Sequence, residues 1–307
     1  MSRNILITGG TGFIGSRLTD RWLAQGHSVT ILSRRPLAAV KRWNRRVQSV
    51  SALDELRDAR FDTLVNLAGE GIADARWSEA RKQILRDSRI RLTESLVQWS
   101  VRSGQKYDVV LSGSAVGYYG AFPGSASPEL TESSPAGKDF AARLCQDWEN
   151  VAQGFGMTTQ RLVVLRTGLV LDAGGGMLER MRLPFLLGLG GPIADGRQVL
   201  SWIHREDYCK AVDFLLESQL SGPVNMTAPN PVSNAGLTRA LARALHRPAF
   251  LPAPAFALKL LLGEMSELLL KGQKVIPGKL LAADFPFSYA DTDSAMEAIF
   301  SSRDTKG

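Results

Sequence analysis

"ITGGTGFIG", residues 7–15, decides the fold of this chain. It closes the apolar run "NILIT" at 4–8 and opens an amphipathic stretch that ends at Gly26. Its glycines, Gly9, Gly12 and Gly15, follow the spacing G-x-x-G-x-x-G. In a strand–turn–helix setting the first permits a tight turn. The second lets a pyrophosphate reach the backbone at the helix N-terminus, and the third allows close helix–strand packing. A glycine pattern alone says little; this setting gives it weight. Gly9, Thr11, Gly12, Phe13, Ile14 and Gly15 are therefore read as the phosphate-binding part of a dinucleotide site.

The end of the next strand chooses the cofactor. NAD-binding versions place an acid there, about 20 residues past the loop, to hold the ribose hydroxyls. This chain has "TILSRRP", with Ser33, Arg34 and Arg35 at that point. An acid would repel a 2′-phosphate, whereas Ser and Arg bind it through charge-assisted hydrogen bonds. The residues thus predict NADP(H).

Working outward, strand and helix patterns alternate through the first two thirds. Strands are predicted at 4–9, 27–34, 47–53, 61–69, 107–116 and 160–171, with a long polar helix over 77–103 and another helix over 137–150. Alternation with near-continuous apolar strands means a parallel sheet covered on both faces. The fold class is α/β: a Rossmann-type doubly wound parallel sheet over 1–172, open to later short strands, then a smaller, mainly helical C-terminal substrate lobe over 173–307.

Composition narrows the classes further. The charge of +7 comes from Arg and Lys scattered among acids, as in "EARKQILRDSRIR", so no basic stripe for nucleic acid is formed. A predicted strand begins almost at once, leaving no room for a signal segment. The apolar stretch at 256–272 is broken by Lys259, Glu264 and Glu267, so it reads as a buried or interface helix rather than a membrane span. Two cysteines, Cys145 and Cys209, make neither a disulfide framework nor a metal site, which points to a reducing cytoplasm. A monomer or homodimer acting on a small molecule is expected.

With these residues in hand, the chain resembles the extended short-chain dehydrogenase/reductases, and more closely their atypical YfcH-like "epimerase family" subgroup. The likeness rests on "GGTGFIGSRL", "SRRP", "VNLAGEGI", "RW" at 76–77, "DSRI", "SAVGYYG", "LRTGLVL", "LPFLLGLGGPI", "SWIHRED", "NMTAPNPV" and "LLLGEMSELLLKGQKV". It implies that Leu67, Ala68 and Gly69 run beneath the adenosine ribose and pyrophosphate. It places Arg89 beside the cofactor, and brings Gly168 to Val170 to the nicotinamide through their backbone. Ser114 matches the superfamily's catalytic serine, which polarises the substrate oxygen. Ordinary members also carry a Tyr and a Lys one helical turn apart, the Tyr transferring the proton. Here Phe140 and Leu144 stand in those places, as in the subgroup, and Lys138 is on the wrong face to substitute. An apolar wall facing the nicotinamide is expected from them.

Proton chemistry then falls to Ser114, Tyr118 and Tyr119 in "SAVGYYG", with Glu70 and His204 as lesser candidates. The leading reading is an NADP(H)-dependent oxidoreductase or epimerase acting on a small polar substrate. A non-catalytic NADP(H)-binding sensor is the alternative that Phe140 and Leu144 favour. An ordinary nucleotide-sugar epimerase is weakened by the same two residues. No metal constellation is visible.

Overall fold

The computed structural model describes residues 2–301. Seven strands form one parallel sheet: β1 (Asn4–Thr8), β2 (Ser28–Leu32), β3 (Gln48–Val50), β4 (Thr63–Asn66), β5 (Val109–Ala115), β6 (Leu162–Thr167) and β7 (Gly222–Met226). Their spatial order is β7-β6-β5-β4-β1-β2-β3. The order reverses between β1 and β4, which pair in register from Ile5↔Thr63 to Thr8↔Asn66. A switch point of this kind leaves a crevice at the carboxyl ends of the strands.

Alternate residues of each strand go to opposite layers. Ile5, Ile7, Val65, Val109, Leu111, Val163 and Leu165 pack on Leu18 and Trp22 of α1 (Phe13–Ala24) and on Tyr208, Val212 and Leu215 of the helix Arg205–Glu217. Leu6, Leu64 and Val110 face the other way, onto Leu96, Trp99, Ala152 and Phe155. Burial on both faces is why the strands read as continuous apolar runs. Trp22 is fully buried, and its indole N–H donates to Asp213 at 2.9 Å, which ties α1 to its neighbour.

The structure departs from the sequence reading in three places. The strand over 160–171 breaks at Gly168, where an added Cβ would lie 2.7 Å from the Ser201 carbonyl oxygen. Beyond the break, Leu169–Leu171 leaves the main sheet to pair with Trp202–His204. The helix over 77–103 is two helices, Glu79–Asp87 and Ile90–Arg102, hinged at Ser88 and Arg89. Finally, of the two alternatives for the stretch at 256–272, a buried helix is ruled out, and the helix is not continuous. The helix Ala255–Leu262 has no buried residue and stops at Gly263, whose φ is +59°. The seventh strand comes from beyond residue 172, so the sheet draws on both stretches of the chain.

A second core lies over the strand ends, built from Leu171, Trp202, Leu237, Leu241, Met296 and Ile299. Residues 302–307 of the expected lobe lie outside the described residues. The chain also returns to the loop after β5: Lys271–Gly272 pairs with Phe122–Pro123, and Lys274–Val275 with Glu129–Leu130. That double stitch closes one side of the crevice. Cys145 and Cys209 are both buried and unbridged. No helix among the described residues is long and apolar enough to cross a membrane.

Candidate dinucleotide-binding site

The glycine loop opens at the switch point, and its three glycines differ physically. Gly9 has φ +71°, and a Cβ on it would meet the Leu67 and Ala68 backbone at 2.9 Å. A Cβ on Gly15 would fall 2.2 Å from the Gly9 oxygen, so that residue closes the turn on itself. Gly12 is different: its φ is −77°, and a Cβ there meets only the Gly9 oxygen at 3.2 Å. Gly12 and Thr11 are exposed, Phe13 and Ile14 half-buried.

Gly12 is also the N-cap of α1, and no side chain caps it. The N–H groups of Phe13, Ile14 and Gly15 have no acceptor within the helix, because first-turn donors never do. No acid sits in that first turn. Open donors, a helix-dipole positive end and free space before Gly12 fit a diphosphate.

The floor of the site is cross-linked. Thr8 Oγ1 donates to Asn66 Oδ1 at 2.7 Å and accepts from the Ala68 N–H at 3.1 Å. This holds Leu67, Ala68 and Gly69 against the loop. Arg89 lies below them: a Cβ on Gly69 would be 3.1 Å from its Cζ. Its guanidinium donates to the Glu70 carbonyl at 2.8 Å and the Leu85 carbonyl at 3.1 Å. Burial pushes its pKa down. Arg89 thus supports the loop's backbone from beneath.

At the end of β2, Ser33 Oγ accepts from the Arg35 N–H at 3.1 Å, and Arg35 is the exposed N-cap of the helix Pro36–Arg42. The Arg34 side chain is 91% exposed and reaches Glu70 Oε1 at 3.0 Å. The end of β2 itself carries no acid, the nearest carboxylate being that of Glu70 from the end of β4. At the far end, Gly168 sits at the break after β6. Val170 is buried, with its carbonyl oxygen 3.4 Å from where a Gly176 Cβ would lie.

Phe140 and Leu144 open the helix Phe140–Ala152, capped by Asp139, which accepts from the Ala142 N–H at 2.8 Å. Both are buried with Leu85, and Ile72, Trp77 and Ile90 pack on them. Trp77 meets Phe140 edge-on at 4.9 Å. Leu144 therefore fills the seam against the preceding helix pair rather than walling the crevice. Phe140 alone lines a cavity of about 80 Å³, with Trp77, Gly117, Ala121, Leu268 and Gln273 among its other walls. Of the charges at its edge, Glu264 pairs with Lys82 at 2.6 Å and Lys271 with Glu267 at 2.8 Å, while the Asp139 carboxylate accepts from the Ala121 and Ala142 N–H groups.

The three hydroxyls of "SAVGYYG" differ in their surroundings. Ser114 Oγ donates to Glu149 Oε1 at 2.6 Å and is 5% exposed. Glu149 is gripped by Arg166 through two bonds of 2.9 Å. Tyr119 Oη donates to Asn225 Oδ1 at 2.6 Å and accepts from Arg166 at 3.0 Å. Burial raises the Tyr119 pKa against the pull of Arg166. The Tyr118 ring lies 3.5 Å from the Arg166 guanidinium, and its hydroxyl has no hydrogen-bond partner among the described residues. The hydroxyls of Ser114 and Tyr119 are thus committed to a buried network around Arg166, because Ser114 and Arg166 are register partners and share a face.

Glu149, Arg166 and Asn225 are absent from the sequence reading. The available signal was a charged residue inside an apolar run, "LVVLRT". His204 caps the helix Arg205–Glu217 by accepting from the Glu206 N–H at 3.1 Å, and its ring stacks on Tyr289 at 4.0 Å. Among the described residues no cluster could hold a metal ion.

An open glycine-turned helix at the switch point of a seven-stranded parallel sheet defines a Rossmann-type dinucleotide-binding fold. The profile of the NAD dependent epimerase/dehydratase family matches residues 5–227, and that of a domain of unknown function, DUF1731, matches 253–299. The chain therefore belongs to the NAD dependent epimerase/dehydratase family. It is similar to epimerase family protein YfhF of Bacillus subtilis, with 38% identity over 98% of this chain and 99% of that one. Epimerase family protein Mb2239 of Mycobacterium bovis is 40% identical over 95% of this chain and 96% of its own. The crystal structure of human epimerase family protein SDR39U1 (isoform 2) with NADPH is 36% identical, covers 97% of this chain and 99% of its own, and superposes with a TM-score of 0.86. The Thermus thermophilus UDP-glucose 4-epimerase complex with NAD, at 20% identity and TM-score 0.76, covers 99% of this chain and shares the fold alone.

Proposed function

We propose that this chain is an NADP(H)-dependent oxidoreductase or epimerase acting on a small polar substrate. The observation that carries the reading is the pairing of an uncapped α1 N-terminus with an exposed Arg34 where an acid would select NAD. The human relative solved with NADPH supports it. The loop amides from Phe13 to Gly15 hold the diphosphate, and Gly12 leaves it room. Ser33, Arg34 and Arg35 hold the 2′-phosphate. The backbone of Leu67–Gly69 carries the ribose, and Gly168 to Val170 orient the nicotinamide ring. The bound nicotinamide supplies hydride transfer. The cavity beside Phe140 and Trp77 holds the substrate and excludes water. Of the proposed hydroxyls, only that of Tyr118 has no hydrogen-bond partner among the described residues, so it is assigned as the donor.

The test titrates NADPH and NADH by calorimetry against wild type and Arg34→Glu. Loss of a charge-assisted phosphate contact, typically ~1.5–3 kcal/mol, predicts NADPH binding weakened more than tenfold, with NADH little changed. Unaltered NADPH binding by the variant places the phosphate site elsewhere.

A second reading, a non-catalytic NADP(H) sensor, is favoured by one observation. Phe140 and Leu144 are packed under apolar cover, and the Ser114 and Tyr119 hydroxyls are already engaged. Failure of any carbonyl in a broad panel to oxidise NADPH, at high protein concentration, would put the sensor first.

A further inference from the structure

Glu70 lies at the carboxyl edge beyond β4, and Arg34 at the edge beyond β2. Those strands flank β1, so their ion pair of 3.0 Å crosses the edge where the glycine loop opens. On the NADP(H) reading above, both ends of the bridge fall in the adenosine half of the cleft. Its two members differ in freedom. Arg34 is 91% exposed, while Glu70 is 28% exposed and pinned by its backbone. The Glu70 N–H donates to Ser88 Oγ at 3.1 Å, and its carbonyl accepts from Arg89 at 2.8 Å. The carboxylate can swing, but the residue cannot withdraw.

A second cation waits beside it. Arg81 Nη1 lies 3.7 Å from the other carboxylate oxygen of Glu70, beyond hydrogen-bond reach. The Arg81 side chain is 14% exposed, its Nη2 donates to the Gly71 carbonyl at 2.8 Å, and its buried Nε has no hydrogen-bond partner among the described residues. Arg81 thus has unused donor capacity on a guanidinium that lies 3.7 Å from Glu70.

We propose, resting on the NADP(H) reading above, that Glu70 sets how strongly the site prefers the phosphorylated dinucleotide. In the free protein its carboxylate occupies Arg34. A 2′-phosphate, carrying close to two negative charges against the carboxylate's one, takes Arg34 over. Glu70 then closes on Arg81, which neutralises a carboxylate that would otherwise repel the phosphate. The exchange is a competition: every NADPH that binds must first displace Glu70, and NADH, lacking the phosphate, need not. Glu70 is a specificity-determining residue that restrains NADPH affinity.

The experiment measures the affinities of NADPH, NADH and adenosine 2′,5′-bisphosphate by calorimetry for wild type, Glu70→Gln, Arg34→Gln and the double variant. Ligand-free melts check that each is folded. An exposed ion pair is a weak competitor, so Glu70→Gln is expected to tighten NADPH and the bisphosphate about threefold to fivefold. NADH should be unchanged, and the gain should vanish in the Arg34→Gln background. Glu70→Ala should move the same way. If Glu70→Gln binds NADPH like wild type or more weakly while Arg34→Gln still loses more than tenfold, the competition is refuted and the NADP(H) reading stands. If Arg34→Gln loses nothing, both fall.

Discussion

Replacing Glu149 by Gln tests whether the network around Arg166 is scaffold or chemistry. The side chains of Arg166 and Glu149 are 4% and 10% exposed. Burial works against the charged guanidinium, but the hydrogen bonds and charge of Glu149 outweigh it and raise the Arg166 pKa. Breaking a buried pair by neutralising one partner costs about 3–5 kcal/mol, since the remaining charge stays buried. A Gln amide keeps one acceptor for Arg166, so the low end, about 3 kcal/mol, is expected. Ser114→Ala removes one bond to a charged acceptor and leaves both Arg166 contacts in place. About 1.5 kcal/mol follows. At about 2 °C per kcal/mol for a chain of this size, the Tm should fall by about 6 °C for Glu149→Gln and about 3 °C for Ser114→Ala. Scanning calorimetry without ligand reads the Tm, and a urea midpoint with unchanged slope checks that the fold is kept. NADPH affinity should stay within about twofold of wild type for both. One outcome refutes the reasoning: Ser114→Ala melting within a degree of wild type while turnover collapses. That would put the hydroxyl on substrate.

Two further outcomes are expected. Gly12→Val should fold, with at most a small drop in Tm without ligand, but lose NADPH and NADH alike, since its Cβ meets only the Gly9 oxygen at 3.2 Å and its methyls occupy the diphosphate's side of the loop; Gly15→Ala should lower the Tm far more, its Cβ falling 2.2 Å from the Gly9 oxygen. The reverse pattern in calorimetry and melts would contradict that assignment of roles. Burial holds the His204 pKa below its ordinary 6.5. Its cap is thus fully present above that value and lost as pH falls through the lower folded one. Between pH 7.5 and 5.5 the Tm of wild type should drop more than that of His204→Asn, which caps without titrating; equal drops would remove His204 as the cause.

The parts of the site legible in the sequence were those fixed by local geometry. A strand, a glycine turn and a helix occupy consecutive residues, so Gly9 to Gly15 needed no tertiary information. Arg34 could be counted from the end of β2, because its place depends only on where that strand stops. The reading failed where the answer depended on facing or on distant pairing. Ser114 lies at the end of β5, as its spacing implied, but a strand alternates faces every residue. Which face it takes is set by the helix layer and by Arg166, brought alongside from far down the chain. Likewise β7 is a short run, "GPVNM", whose place beside β6 no local pattern announces.

The missing Tyr–Lys pair is best understood together with what covers its positions. The helix Phe140–Ala152 carries two stripes. Cys145, Glu149 and Ala152 follow helical spacing toward the sheet, and Glu149 bonds Ser114 and Arg166 there. Phe140 and Leu144, one turn apart, form the other stripe, which meets Leu85, Trp77 and Ile90. An ammonium at position 144, now 2% exposed, would be stripped of water and set among Leu85 and Ile90. Burial of that kind, without a partner, costs far more than an apolar contact of the same size. A phenol at position 140 would need an acceptor where the Trp77 edge now packs at 4.9 Å. The apolar pair thus fits its apolar neighbours, Leu85 and Ile90 above all. Neither of these two positions can supply a proton, so any chemistry performed here must take it from another group.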